Sequence, residues 1–283
     1  MSNLNPTIVM AAGKGSRMKA DSNVPAHILH EAQSRPKAMI RIGEQSKPLL
    51  EHLLLQLREE GCTQACVVIA QDDNLTPAHF TQVALPGMAL SFVRQSIPAG
   101  RSKPLGTAHA VQLAMEANPK WLGLPVTVAN GDNLPPRGMF QALFEREAVL
   151  PAFLPQHLGL PQERVLAFAV LQADPEGNLI GITEKPTPEQ VQNAHWPDGQ
   201  PRVSMNYFRL PYAPLLEAVR TVPENPTRNE RELPEAISLF LQNGGEMEAL
   251  TMAGAFLDLT HPTDIEKAGE AMDAGGNKLL LRT

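Results

Sequence analysis

Residues 8–18 read I-V-M-A-A-G-K-G-S-R-M, a short apolar run that passes into a turn with two glycines and two basic residues. The apolar part, Thr7–Ala12, is bounded by a proline and a glycine and predicts a buried β-strand. Gly13 and Gly15 allow the backbone to curl around a phosphate group with its amides turned inward. Arg17 can then bind phosphate oxygens through paired guanidinium donors. The segment predicts a strand that leads into a phosphate-binding turn.

Strands and helices alternate over the first half of the chain. Apolar runs at Ala65–Ala70 and Pro125–Ala129 predict two further buried strands, and Pro48–Glu60 and Thr107–Ala117 predict helices. Because these strands lack polar alternation, they favour a sheet that is covered on both faces. We predict an α/β fold of the Rossmann-like, doubly wound type, with a mixed, mostly parallel sheet.

The sequence of the second half of the chain predicts a β-hairpin that is inserted on the substrate side of the sheet. Val165–Ala173 and Leu179–Glu184 favour two strands joined by the turn sequence D-P-E-G-N. The sequence shows no internal repeat and no long linker. We therefore expect a single domain over residues 1–283.

Composition argues against several kinds of partner. The chain has 283 residues, is 43% hydrophobic and carries a formal net charge of −6, so neither a nucleic-acid-binding surface nor a cationic membrane surface is expected. No apolar stretch approaches the roughly 18 residues of a membrane span, and the N-terminus does not resemble a secretion signal. Cys62 and Cys66 are expected to be reduced thiols in a cytoplasmic protein.

The order of short motifs along the chain resembles the sugar-phosphate nucleotidyltransferase superfamily, whose members make nucleotide sugars on a GT-A-like nucleotidyltransferase fold. The matching motifs extend from residue 7 to about residue 270, and their order is more specific than any one of them. They are A-A-G-K-G-S-R-M at 11–18, R-P-K-A at 35–38, P-L-G-T-A-H at 104–109, N-G-D at 130–132, E-K-P at 184–186 and F-L-D at 256–258.

This resemblance implies a nucleotide-binding half at residues 1–135, with a nucleotide site at the first turn, and a sugar-phosphate-binding half at residues 136–283. Arg17 and Lys14 are expected to hold the triphosphate of an NTP, and Lys37 to lie near the reacting phosphates. A glutamine such as Gln95 suits base recognition because its amide both donates and accepts hydrogen bonds. UTP or dTTP is favoured, and a purine nucleotide stays open. The implied nucleotide-binding set is Ala11, Ala12, Gly13, Lys14, Gly15, Gln95, Gly106 and Thr107.

The same resemblance implies an acceptor site and a magnesium ion. Asp132 and Asp258 are the expected ligands of Mg²⁺, which prefers one or two carboxylates together with phosphate oxygens. Lys185 is expected to bind the phosphate of a sugar 1-phosphate, and Glu184 its hydroxyl groups. The expected catalytic residues are Arg17, Lys37 and Lys185, and the expected acceptor-binding residues are Asn130, Glu184, Lys185, Ser204 and Asn206.

Three segments depart from the pattern of the superfamily. In S-M-N-Y-F at 204–208, Ser204 stands where N-x-G-x-Y has asparagine and Asn206 where it has glycine, so altered substrate contacts are expected. The Gly-Thr usual after the second metal-binding aspartate is replaced by Thr260-His261. Residues 19–34 make the interval between the first two motifs unusually long, and their role stays open.

The implied reaction is in-line attack by a phosphate oxygen on the α-phosphorus of the NTP, with release of pyrophosphate and without a covalent enzyme intermediate. Two alternatives stay open: a non-sugar acceptor such as phosphocholine, and a catalytically weak regulatory protein that binds nucleotide sugars. A glycosyltransferase is disfavoured because the sequence lacks the D-x-D motif typical of such enzymes. The sequence leaves the oligomeric state open, including a homo-oligomer.

Overall fold

A computed structural model describes residues 4–13, 15, 25–165, 168–194, 196–273 and 279–282. Two predicted phosphate-binding residues, Lys14 and Arg17, lie outside the described residues. None of the helices in the described ranges has the length and apolar character needed to cross a membrane.

The elements follow the predicted alternation of strands and helices. The described strands are β1 (Pro6–Met10), β2 (Arg41–Ile42), β3 (Lys47–Pro48), β4 (Gln64–Ala70), β5 (Ala89–Gln95), β6 (Pro125–Asn130), β7 (Asn133–Leu134), β8 (Val149–Phe153), β9 (Ala169–Ala173), β10 (Leu179–Thr183), β11 (Arg202–Ser204), β12 (Phe208–Pro211), β13 (Glu248–Gly254), β14 (Leu257–Asp258) and β15 (Leu279–Arg282). The described α-helices are α1 (Ala26–Ser34), α2 (Leu49–Glu59), α3 (Leu75–Gln82), α4 (Thr107–Glu116), α5 (Met139–Phe144), α6 (Gln162–Val165), α7 (Pro188–Asn193), α8 (Tyr212–Thr221), α9 (Leu233–Gln242) and α10 (Asp264–Asp273).

One mixed sheet of eleven strands organises the described residues. Its order is β10-β9-β11-β8-β12-β6-β1-β4-β5, with β13 paired to β8 and β15 paired to β13. Strands β6, β1, β4 and β5 are parallel, whereas β12 joins β6 and β8 in antiparallel pairs. The predicted α/β fold with a doubly wound, mixed sheet is confirmed. The four neighbouring parallel strands belong to the predicted nucleotide-binding half, and β13 and β8 form a further parallel pair in the second half.

Both faces of this sheet are covered by apolar layers, which explains the continuous apolar runs of its strands. In β1, Val9 belongs to one buried layer and Ile8 to the opposite one. Strand β4 divides Val67 and Val68 between the two layers in the same way. The leucines of α2 fill the first layer, and α4 and α8 contribute to the second.

The carboxyl end of β1 is the point from which the site is built. Strand β1 lies between β4 and β6, so the chain order reverses here and a crevice opens beyond the strand ends. Two hydrogen bonds hold the turns together: the amide of Ala11 donates to Val68 O at 2.8 Å, and the amide of Gly131 donates to Met10 O at 2.9 Å. The first glycine-bearing turn and the N-G-D turn therefore lie side by side.

The predicted hairpin is present, with one correction. Strands β9 and β10 pair in antiparallel fashion around the turn at Asp174, whose backbone amide donates to Asn178 O at 3.0 Å. The first strand begins at Ala169 and not at Val165, because Gln162–Val165 form the short helix α6. An apolar sequence alone does not distinguish a buried strand from a buried helical turn.

Candidate functional site

Lys37 lies at the centre of the site, between the two predicted metal-binding aspartates. Its Nζ donates to Oδ2 of Asp132 at 2.7 Å and lies 3.8 Å from Oδ1 of Asp258. Both oxygens are thus within 3.8 Å of one nitrogen, so they lie within twice that distance of each other. Three residues that the motifs predicted separately meet at one point.

The turn after β6 presents Asp132 because Gly131 allows an unusually close approach to β1. A Cβ atom at Gly131 would lie 2.8 Å from Met10 O and 3.0 Å from Cβ of Ala11, closer than packed atoms tolerate. Glycine is therefore required for steric reasons, although its φ angle is ordinary. The Asp132 side chain is 41% exposed and faces the crevice, whereas that of Asp258 is 9% exposed.

Tyr207 supports the N-G-D turn through contacts of its hydroxyl group. It is fully buried, and its hydroxyl group contacts the side-chain oxygen of Asn133 and lies 3.3 Å from Asn130 O. Burial raises the pKa of Tyr207 well above its ordinary value, and the negative charges of Asp132 and Asp258 raise it further. Tyr207 is therefore a neutral hydrogen-bond donor at neutral pH.

Asp258 is held by residues that the sequence did not indicate. Arg164 of helix α6 contacts Oδ2 of Asp258 through Nη2 and reaches the carboxylate of Asp264 at 3.2 Å through Nη1. The hydroxyl of Thr260 also donates to Oδ2 of Asp258, at 2.7 Å. The amides of Thr260 and His261 donate to Asp264 at 2.9 and 2.8 Å. The Thr260-His261 departure thus preserves an ordered loop that orients the carboxylate.

The two carboxylates fit a divalent cation that is held jointly with substrate. The described residues contain no group of three or more His, Cys, Asp or Glu side chains placed to hold a metal ion. Magnesium prefers one or two carboxylates and takes its other oxygens from phosphates and water, so a pair of aspartates is a suitable donor set. The ammonium group of Lys37 lies between the carboxylate oxygens of Asp132 and Asp258, so this position favours positive charge.

A cleft of about 430 Å³ adjoins this centre on the side of the first turn. Most of the predicted nucleotide-binding residues line it: Ala11, Ala12, Gly13, Gln95, Gly106 and Thr107. Gly15 does not appear in this lining, although its φ of 60° is the left-handed conformation for which glycine was expected. We call this space the nucleotide cleft.

Gln95 is less free than the sequence indicated. Its side chain is nearly buried, and Nε2 donates to Gly106 O at 2.8 Å, which uses one of its two N–H groups and fixes the orientation of the amide. Gly106 has φ of 100°, and a Cβ atom there would lie 2.5 Å from Arg231 O. The P-L-G-T-A-H motif thus fixes both the glutamine and the start of helix α4.

A second cleft, of about 610 Å³, adjoins the centre on the other side, and we call it the acceptor cleft. All of the predicted acceptor-binding residues line it: Asn130, Glu184, Lys185, Ser204 and Asn206. Lys37, Asn130 and Asp132 line both clefts, so the two spaces meet at the aspartate pair.

Arg228 is a second acceptor-cleft residue that the motifs did not reveal. It forms an ion pair with Glu232 and lies 3.8 Å from Oε1 of Glu184. Burial raises the pKa of Glu184, and so does the negative charge of Glu232, while Arg228 and Lys185 lower it. Arg228 stands in a loop without regular spacing, and its proximity to Glu184 follows only from the folded chain.

Comparisons of the sequence with known proteins show which family it resembles. The Nucleotidyl transferase family matches residues 6–274. The bifunctional protein GlmU of Staphylococcus epidermidis is 26% identical over 250 residues, which cover 85% of this chain and 46% of GlmU. Glucose-1-phosphate thymidylyltransferase of Streptomyces antibioticus is 25% identical over 262 residues, covering 91% of this chain and 63% of that enzyme. The chain spans less than two thirds of the length of each of these two relatives.

The fold comparison covers almost the entire chain. A crystal structure of UDP-glucose pyrophosphorylase complexed with UDP-glucose has a TM-score of 0.69 and 16% identity, covering 96% of this chain and 99% of that one. This likeness shows a shared fold. Nucleotidyltransferases generally use a divalent metal ion, which agrees with the paired carboxylates. The family match over residues 6–274, together with the ordered motifs and this fold, shows that the chain belongs to the Nucleotidyl transferase family of sugar-phosphate nucleotidyltransferases.

Proposed function

We propose that this protein joins an NTP to a sugar 1-phosphate and releases pyrophosphate. One observation carries the proposal: Lys37 contacts Asp132 and approaches Asp258 at the point where the nucleotide cleft meets the acceptor cleft. A reaction between two phosphorylated substrates needs their phosphates side by side, and this junction offers an ammonium group and two carboxylates. The similarity to glucose-1-phosphate thymidylyltransferase supports the same reaction class.

Catalysis at this junction would consist of positioning and charge neutralisation. A phosphate monoester is already an anion at neutral pH, so the acceptor needs no general base. Lys37 is placed to hold the reacting phosphates in line, and the predicted Arg17 and Lys14 would bind the triphosphate. A magnesium ion bound by Asp132 and Asp258 would supply neutralising charge to the phosphate oxygens.

The lining of the acceptor cleft favours a sugar phosphate over phosphocholine. Lys185 and Arg228 provide cations for a phosphate group, and Glu184 and Ser204 provide oxygens for hydroxyl groups. A quaternary ammonium group is usually bound by several aromatic rings. Among the described residues that line this cleft, Phe168 is the one aromatic side chain.

The nucleotide cleft suits UTP or dTTP. Because Nε2 of Gln95 is bound to Gly106 O, the free Oε1 can accept a hydrogen bond from a ring N–H group. Uracil and thymine carry such a group at N3 and guanine carries one at N1, whereas the corresponding ring nitrogens of cytosine and adenine carry no hydrogen. Gln95 therefore favours UTP or dTTP over CTP and ATP and leaves GTP open. We place the reaction in the cytoplasm, whose reducing conditions suit the two buried, unpaired cysteines Cys62 and Cys66.

The proposal is tested by measuring pyrophosphate release from four NTPs crossed with several sugar 1-phosphates and phosphocholine. We expect release only when an NTP and a sugar 1-phosphate are both present with Mg²⁺. Lys37→Met should reduce release by at least about a hundredfold, and Lys120→Met, at an exposed lysine in a separate turn, should leave it unchanged. Binding of these compounds without any turnover would favour the regulatory alternative. Turnover of an NTP with phosphocholine but with none of the sugar 1-phosphates would favour an enzyme with a non-sugar acceptor.

A further inference from the structure

Asn206 has a backbone conformation that ordinarily belongs to glycine. Its φ is 59°, in the left-handed region, where a Cβ atom crowds the backbone and where asparagine is among the tolerated exceptions. Its backbone amide donates to Oγ of Ser204 at 3.2 Å, which fixes the turn between β11 and β12. Glycine would fit this backbone at least as well, so the fold alone does not call for the asparagine side chain.

The side chain of Asn206 lines the acceptor cleft and is uncommitted there. No hydrogen bond joins its amide group to any of the residues that the structure describes. The side chains of two other residues that line the cleft, Asn130 and Ser204, do form hydrogen bonds within the protein. Nδ2 of Asn130 donates to Met205 O at 2.9 Å, and the hydroxyl of Ser204 accepts from the amide of Asn206.

The charges around Asn206 indicate what it would recognise. Lys185 and Arg228 donate only, and the carboxylate of Glu184 accepts only. A side-chain amide both donates and accepts, so it matches a hydroxyl group, which can do the same. We propose that Asn206 determines acceptor specificity by hydrogen bonding to a sugar hydroxyl, a contact that glycine at this position would not make.

The inference rests on the proposed function and is tested with Asn206→Gly. This variant is compatible with the left-handed backbone and removes the side chain, including its amide group. Steady-state kinetics would be measured with UTP or dTTP and four acceptors: the 1-phosphates of glucose, galactose, mannose and N-acetylglucosamine. We expect the KM of the best acceptor to rise about five- to tenfold, the range of one neutral hydrogen bond, with the KM of the NTP unchanged.

Acceptor selectivity is the decisive measurement. The ratio of kcat/KM between the best acceptor and its epimer should fall by a similar factor, because one hydroxyl no longer has its partner. The melting temperature should not fall, since glycine is favoured at this φ. Asn229→Gly is the matched control: Asn229 has φ of 55°, is exposed and does not line the acceptor cleft. It should leave the selectivity ratio unchanged.

An Asn206→Gly variant with wild-type acceptor KM and an unchanged selectivity ratio would overturn the inference and leave the proposed function standing. If the wild-type protein turned over none of the acceptors, the proposed function would fail, and calorimetric binding of the same four compounds would then decide the role of Asn206. Equal affinities for the wild type and the variant, or no binding to either, would refute it.

Discussion

Asp258 pairs with Asn133 across the two-stranded antiparallel ribbon formed by β14 and β7. Asn133 directly follows Asp132, so this ribbon brings the second aspartate to the N-G-D turn, although it lies 126 positions after Asp132 in the chain. Lys37 then lies against both carboxylates. The ribbon, which contains only two residues in each strand, is therefore the structural basis of the proposed cation site.

Asp132→Asn should reduce the rate of pyrophosphate release by more than about a thousandfold, the scale of one preorganised electrostatic group. The change keeps the size of the side chain and removes its charge, so the protein should fold normally by circular dichroism. Asp72→Asn, at an exposed turn, is the matched control and should keep full activity. Near-normal rates of Asp132→Asn in saturating magnesium would refute the role assigned to this residue.

Lys37→Met should have opposite effects on cation affinity and on turnover. Removing the ammonium group takes away a positive charge 2.7 Å from Asp132, so a divalent cation should bind more tightly in the absence of substrate. Turnover should nevertheless fall by at least about a hundredfold, because the phosphates lose a preorganised donor. Electron paramagnetic resonance of Mn²⁺ measures the first effect and pyrophosphate release the second. Weaker Mn²⁺ binding by the variant would contradict this account of Lys37.

Gly131→Ala should destabilise the protein by about 1–3 kcal/mol, the usual cost of overpacking, and should also reduce activity. The added methyl group would meet Met10 O at 2.8 Å and displace the turn that carries Asp132. Chemical denaturation measures the free energy of unfolding. Gly13→Ala is the control for stability, since its added Cβ has no atom within 4 Å among the described residues other than its chain neighbours. Equal stabilities of the two variants would show that the close approach is unimportant.

Glu184→Gln should stabilise the ligand-free protein at neutral pH. Because burial raises the pKa of Glu184 above 4.5 in the folded state, its contribution to stability is fully present below pH 4.5 and is lost as the pH rises through the folded pKa. The melting-temperature gain of the variant should therefore shrink as the pH is lowered from 7.5 towards 4.5. Glu217→Gln, at an exposed position of α8, should show no such trend. A melting-temperature gain of Glu184→Gln that grows as the pH is lowered would contradict this prediction.

The motifs predicted much of the site because each is a short segment whose chemistry is local. Lys37, Asp132 and Asp258 stand in such segments, and so do the glycines that bring backbones into contact. The assigned roles of these residues are still predictions. Arg164 and Arg228 escaped prediction because their importance depends on distant partners, Asp258 and Glu184, that only the folded chain brings near.

The fold was predictable to a similar extent. Apolar runs indicated β1, β4 and β6, since strands buried on both faces have no polar alternation. The same signal misplaced the start of β9, because Val165 ends a helical turn that packs into the core. The hydrogen bond from Gln95 to the backbone oxygen of Gly106 could not be predicted from the sequence either, since it depends on how the folded chain places that oxygen.

Cation binding by the two aspartates tests the central claim most directly. Mn²⁺ would be titrated in the presence of UTP into the wild type, Asp132→Asn, Asp258→Asn and the Asp72→Asn control, and followed by electron paramagnetic resonance. We predict one site in the wild type and the control, with affinity reduced at least about tenfold in each of the other variants, since each removes one of two charged ligands. Wild-type affinity in either Asp132→Asn or Asp258→Asn would contradict the account.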